Sequence, residues 1–214
     1  MNATTPPGSD PQSRRVVVVP SLWAPFHHRP AVAALAGFTT TTQPDGIVFL
    51  SAPNGRSSQA HRAFIDVLAQ FRTGYQGAIM ICGHVHDTDQ LASLNVGLNV
   101  GLLPESAPIA PGWQAVPVDL DAQPDVVACA ATADTNMVCG DTGRLRLTGR
   151  AVPAEHGTLQ AWLVFECGTL AADPAAGTLG FGILETNATT ATGRPVRVGA
   201  DGSFTYRGTR YQPP

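Results

Sequence analysis

Three short apolar runs, separated by two segments of helical periodicity, constrain the fold of this chain more than any other feature. The runs are VVVV at 16–19, GIVFL at 46–50 and AIMIC at 78–82. Each is apolar at successive positions, which is typical of a strand buried on both faces of a parallel sheet. The sequence therefore predicts a parallel sheet in the first half of the chain.

The segments between these runs are predicted helices. The first helix begins at Pro30, and the second is capped by Ser57 or Ser58 and ends at Gly74. Their apolar residues recur at three- and four-residue steps: Val32, Leu35 and Phe38, then Ala60, Phe64, Val67, Leu68 and Phe71. The order strand, helix, strand, helix, strand predicts an α/β fold (βαβαβ) with right-handed crossovers.

The second half has a different texture. From Pro111 onward, helical periodicity stops and short alternating segments appear between glycines and prolines, which predicts an all-β, sandwich-like domain. Asp201 and Gly202 predict a hairpin turn near the end. The predicted organisation is a flexible tail at 1–14, an α/β domain at 15–110 and a β-sandwich module at 111–214.

Charge and hydropathy exclude two classes of partner. The net charge is −3 and the 13 basic residues, all arginine, are scattered, so the basic patch of a nucleic-acid-binding protein is missing. No apolar run approaches the roughly 20 residues of a membrane-spanning helix. The N-terminal segment MNATTPPGSDPQSRR lacks the apolar core of a signal peptide. We expect neither nucleic acid nor membrane as a partner.

Four cysteines, Cys82, Cys129, Cys139 and Cys167, follow no zinc or redox spacing. Buried thiols are the default interpretation. Cys129 and Cys139 flank a predicted turn and would form a disulfide across it in an oxidising compartment.

The loops after the predicted parallel strands are the places to look for a ligand site, because ligands of such sheets bind at the carboxyl ends of the strands. The loop after the third strand, GHVHDTDQ, is the richest. His84 and His86 point the same way off an extended segment and can share a metal, with Asp87 or Asp89 nearby. The alternative is a pair of loop histidines without a metal.

The order VVVVP, APFHHRPAVAALAGF, QPDGIVFL and CGHVHDT resembles the calcineurin-like metallophosphoesterases over about residues 15–110. In that family an Asp-x-His, a Gly-Asp, a Gly-Asn-His and a late Gly-His-x-His hold two metals. Gly83–His86 match the last motif, and Asn95–Gly97 match the strand that follows it. The resemblance implies a divalent metal such as Mn or Zn at His84 and His86.

The other motifs of the family are missing. Ser21 and Trp23 stand where the first Asp and His belong, Ala52 stands where the Asp after the second strand belongs, and no Gly-Asn-His occurs. A two-metal phosphoesterase needs carboxylates that hold and bridge its dications. We therefore expect the two-metal centre to be absent and no cofactor to be bound. Ser21, beside His27 and His28, is the one candidate serine nucleophile.

The second half is similar to the β-modules of phage tail, fibre and capsid-decoration proteins. Four segments carry this resemblance: Gly112–Trp113, Leu145–Gly149, Phe165–Pro174 and Val196–Phe204. Such modules expose loops on a rigid sandwich and contact sugars or neighbouring subunits.

These observations favour a non-catalytic virion structural, decoration or tail protein, assembled in the host cytoplasm. Its expected partners are other virion proteins or copies of itself in a homo-oligomer, and a host-surface glycan is a further candidate. Two alternatives remain open. One is a metal-dependent phosphoesterase that uses His84 and His86, and the other is a carbohydrate-binding module.

Overall fold

A computed structural model describes residues 14–20, 22, 24–50, 58–82, 97–104, 107–116, 135–140, 142–153, 159–187 and 190–214. It has three layers. Two helices and a small hairpin cover one face of a six-stranded sheet, and a five-stranded sheet covers the other face. No helix within these ranges is long and apolar enough to cross a membrane.

The first half forms the predicted α/β unit. Its elements are β1 Arg14–Val19, α1 Arg29–Thr42, β2 Gly46–Phe49, α2 Ser58–Arg72, β3 Ala78–Cys82 and β4 Val100–Leu103. The four strands lie side by side and parallel in the order of the chain. The predicted βαβαβ order is confirmed.

Helix α1 begins and ends as its sequence dictates. The His28 Nδ1 accepts a hydrogen bond from the Ala31 N–H and caps the helix, with Pro30 in the first turn. Gln43 ends it in a left-handed conformation, with its N–H bonded to the Thr39 carbonyl.

From residue 108 onward the described residues form nine strands, some of which make a sheet of their own. They are β5 Pro108–Ala110, β6 Trp113–Val116, β7 Asn136–Cys139, β8 Leu145–Pro153, β9 Leu159–Cys167, β10 Gly180–Thr186, β11 Ala191–Arg197, β12 Phe204–Tyr206 and β13 Thr209–Tyr211. The second sheet has the order β5-β6-β7-β9-β8, and β12 pairs with β13. The predicted turn at Asp201–Gly202 joins β11 to β12, where the Gly202 N–H bonds the Gly199 carbonyl.

The predicted domain boundary near residue 110 is not confirmed, because two strands of the second half lie in the sheet of the first. Strand β10 pairs antiparallel with β1, with Arg15 opposite Glu185 and Val17 opposite Ile183. Strand β11 then pairs with β10 at the edge of this sheet. Residues 180–197 therefore do not belong to a separate sandwich.

Two apolar cores separate the three layers. The outer core lies between the helices and the first sheet and includes Phe38, Phe49 and Phe181. The inner core lies between the two sheets around Val18 and Phe165. Because strands of both halves contribute to each core, the halves stabilise one another.

Candidate functional site

The strands β1, β2 and β7 end at one place, here called the carboxyl-end edge. The Leu50 N–H, just after β2, donates to the Val19 carbonyl at 2.9 Å. Gly140 follows β7, and a Cβ at this position would lie 2.9 Å from the Leu50 Cβ and 3.6 Å from the Pro20 Cα. Only glycine lets the second sheet approach the ends of β1 and β2 so closely.

The described side chains at this edge are apolar. Leu22 and Leu50 are buried, and Leu50 belongs to the inner core. Cys82, the last residue of β3, is also buried, with its Sγ 3.8 Å from the carbonyls of Pro104 and Ala115. The described side chains that flank the family's first two motif positions are therefore apolar and buried.

The predicted metal ligands His84 and His86, with Asp87 and Asp89, lie outside the described residues, so their role stays a prediction. The positions that lack ligands, Ser21, Trp23 and Ala52, also lie outside them. Within the described ranges, no group of three or more His, Cys, Asp or Glu side chains gathers around a common point. Because the candidate ligands lie outside these ranges, we derive no chemical step through a two-metal centre.

Strand β7 contributes a segment that sequence reasoning missed. The segment Gly140–Gly143 reads Gly-Asp-Thr-Gly, with a leading glycine like the Gly-His-x-His motif but no histidine. Its end forms a tight turn, in which the Thr142 Oγ accepts from the Arg144 N–H at 3.2 Å and Gly143 has φ 61°. The sequence contained one signal for this segment, since the dipeptide Cys-Gly stands at the end of both β3 and β7. The edge thus receives a fourth segment, and Asp141, the carboxylate that stands at its first histidine position, lies outside the described residues.

The two histidines after β1 have separate roles. The His28 side chain caps α1 and accepts a hydrogen bond there. His27 is half-buried, and burial together with the Arg29 guanidinium lowers its pKa, so the imidazole is neutral at pH 7. Its Nδ1 is buried without a hydrogen-bond partner among the described residues. Ser21, the candidate nucleophile beside them, lies outside those residues.

The same loop presents an exposed aromatic side chain. Phe26 is 72% exposed. Its carbonyl accepts from the Ala172 N–H at 2.7 Å, and the His28 N–H donates to the Leu170 carbonyl at 2.7 Å. The backbone on both sides of Phe26 is therefore fixed while the ring faces solvent. Aromatic side chains, phenylalanine among them, are enriched at protein interfaces.

No protein-family model and no curated protein matches this sequence. Among solved structures, the chain is similar to Vps29 of Chaetomium thermophilum, with a TM-score of 0.54 and 11% identity over 94% of this chain and 100% of that one. A complex of that Vps29 with the cyclic peptide RT-D3 matches with a TM-score of 0.45 and 11% identity, over 94% and 98% of the two chains. The nuclease MPE of Pseudomonas putida matches with a TM-score of 0.36 and 11% identity, over 84% and 86%.

The likeness to Vps29 shows a calcineurin-like metallophosphoesterase fold. It spans nearly the whole chain, so the second half belongs to this fold as well. The resemblance of the second half to phage β-modules is not supported.

Proposed function

We propose that this chain is a non-hydrolytic binding scaffold of the metallophosphoesterase-like fold, which holds another protein chain at its carboxyl-end edge. The observation that carries the proposal is the composition of that edge. Buried leucines and a closely packed glycine stand at the ends of β1, β2 and β7, and the sequence has Ser21, Trp23 and Ala52 in place of the family's ligands.

Hydrolysis of a phosphoester by two metals depends on carboxylates that neutralise and bridge the dications. A serine hydroxyl is neutral and a weak ligand, and the tryptophan and alanine side chains offer no metal-ligating atom. In contrast, the loop that carries Phe26 has what binding requires, namely a fixed backbone and an exposed apolar ring.

Metal content and turnover provide the deciding experiment. We expect the purified chain to hold fewer than one transition-metal ion by elemental analysis. We expect no hydrolysis of a generic phosphodiester above buffer at neutral pH with manganese, for the wild type and for His84→Ala alike. Two bound metals per chain, or turnover that His84→Ala abolishes, contradicts the proposal.

The fold favours one second candidate, a metal-dependent phosphoesterase at the same edge. That activity would use His84 and His86 with carboxylates such as Asp87 or Asp89. The same assay separates the two functions, because the second requires turnover that depends on manganese and on both histidines.

The partners of the scaffold are part of the proposal. We propose that the chain associates with copies of itself through Phe26, and we expect Phe26→Ser to weaken self-association at least tenfold in analytical ultracentrifugation. Leu102→Ser is the matched control, since Leu102 is also exposed, at 45%, but lies on β4. A wild-type chain that is monomeric throughout, or equal effects of both substitutions, argues against this contact.

The location in a virion and a glycan ligand stay predictions.

A further inference from the structure

A cluster of arginines lies where β1 begins, at the end of this strand opposite to the carboxyl-end edge. Arg15 is the second residue of β1, and its partner across the strand pair is Glu185 of β10. Arg194 of β11 lies beside them, and Tyr206 and Arg207 come from the end of β12 and the turn after it. These five residues are called the arginine cluster below.

One carboxylate, that of Glu185, is contacted by three of the other members of the cluster. The Arg207 Nη2 lies 2.9 Å from the Glu185 Oε1, and the Arg194 Nη2 lies 3.5 Å from the Oε2. The Tyr206 hydroxyl also donates to Glu185. Burial raises the pKa of Glu185, but the hydrogen bond from Tyr206 and the three arginines outweigh it and hold the pKa below its ordinary value. Glu185 is therefore ionised at neutral pH.

The Tyr206 ring holds two of the guanidinium groups in place. The Arg15 Cζ lies 5.3 Å from the ring centroid and the Arg207 Cζ lies 5.7 Å from it. Contacts of this kind orient a cation over the ring face without using its N–H donors. The guanidinium groups are thus positioned while many of their donors stay available.

The positive charge of the cluster exceeds its negative charge. Three arginines face one glutamate, which leaves a formal charge of +2. Asp45 also lies nearby, since its Oδ2 accepts a hydrogen bond from the Arg15 main-chain N–H at 2.6 Å. With Asp45 included, the formal charge is +1. The Arg15 Nε is buried without a hydrogen-bond partner among the described residues. The side chains of Arg194 and Arg207 are each 53% exposed and accessible to a ligand.

We propose that the arginine cluster is a binding site for a phosphate group, either free or at the end of a phosphomonoester. Guanidinium groups match the spacing of phosphate oxygens and bind them through paired N–H donors. A phosphate dianion would also neutralise the part of the arginines' positive charge that Glu185 does not neutralise. This site lies at the other end of β1 from the carboxyl-end edge, so it is independent of the proposed scaffold function.

The competing account is that the cluster only ties β1, β10, β11 and the β12–β13 hairpin together. Glu185→Gln separates the two accounts by the sign of its effect on binding. Glu185 competes with the phosphate for the arginines, so a binding site should bind phosphate more tightly after this substitution. A purely structural cluster has no affinity for phosphate to increase.

The test is titration of the full chain with inorganic phosphate by isothermal calorimetry at low ionic strength. We expect saturable binding, a loss of about tenfold or more in affinity for Arg194→Ala and for Arg207→Ala, and tighter binding for Glu185→Gln. Arg197→Ala is the matched control on the same strand, because Arg197 is exposed and outside the cluster. Phosphoserine, compared with serine, forms a second arm, and tighter binding than inorganic phosphate identifies a phosphomonoester as the preferred source.

Absence of saturable phosphate binding to the wild-type chain overturns the proposal. So does affinity that Arg194→Ala and Arg207→Ala leave unchanged, or that Arg197→Ala lowers equally. If Arg207→Ala does not fold, Arg194→Ala still decides the question, since among the described residues the Arg194 guanidinium makes one contact, the long one of 3.5 Å to Glu185.

Discussion

Replacing Phe38 by alanine is expected to lower the free energy of unfolding by about 3–5 kcal/mol, the range observed when a buried phenylalanine is truncated. Phe38 is fully buried on α1. Its ring lies 4.9 Å from that of Tyr211, 5.3 Å from Tyr206, 5.7 Å from Phe204 and 6.3 Å from Phe181, measured between centroids. All four partners come from the second half of the chain, so this one side chain connects α1 to the C-terminal strands.

Denaturant titration followed by circular dichroism measures this loss. Phe26→Ala is the matched control at a protein concentration at which the wild-type chain is monomeric, because it removes the same atoms from an exposed position and should then change stability by no more than about 0.5 kcal/mol. Phe38→Leu, which keeps most of the buried volume, should lie between them. Equal effects of the substitutions at positions 26 and 38 would show that α1 does not depend on these aromatic contacts.

The second large effect concerns the two halves of the chain expressed apart. We expect residues 111–214 alone not to fold, although their strand pattern suggested an independent module. Strand β10 would lose the pairing with β1 and expose Phe181 and Ile183. The β12–β13 hairpin would lose Phe38, against which it packs. Unpaired strand edges and exposed apolar faces of this kind favour aggregation.

Circular dichroism and amide proton dispersion in NMR spectra measure whether the fragment folds. Co-expression with residues 1–110 is the control, and it should restore a soluble complex because it returns β1 and α1 to the fragment. A cooperatively unfolding fragment 111–214 would instead show that the sequence boundary near residue 110 marks a real domain border.

Local sequence patterns predicted most of the elements. The runs at 16–19, 46–50 and 78–82 became β1, β2 and β3, and the apolar stripes became α1 and α2. The short strands predicted after Pro111 also formed, among them β8, β9 and β10. For the candidate site, the sequence predicted that Ser21, Trp23 and Ala52 stand in place of the family's ligands, and this stays a prediction. Such patterns succeed because they record which faces of an element are buried.

Only the tertiary structure decided which strands pair and what meets at each edge of the sheet. An apolar strand such as β10 hides its faces equally well in either sheet, and its hydrogen-bond partner β1 lies far away in the chain. The approach of Gly140 to Leu50 and the gathering of three arginines around Glu185 likewise depend on long-range packing. The sequence alone therefore determined the elements, whereas strand pairing between distant segments determined the architecture and created the arginine cluster.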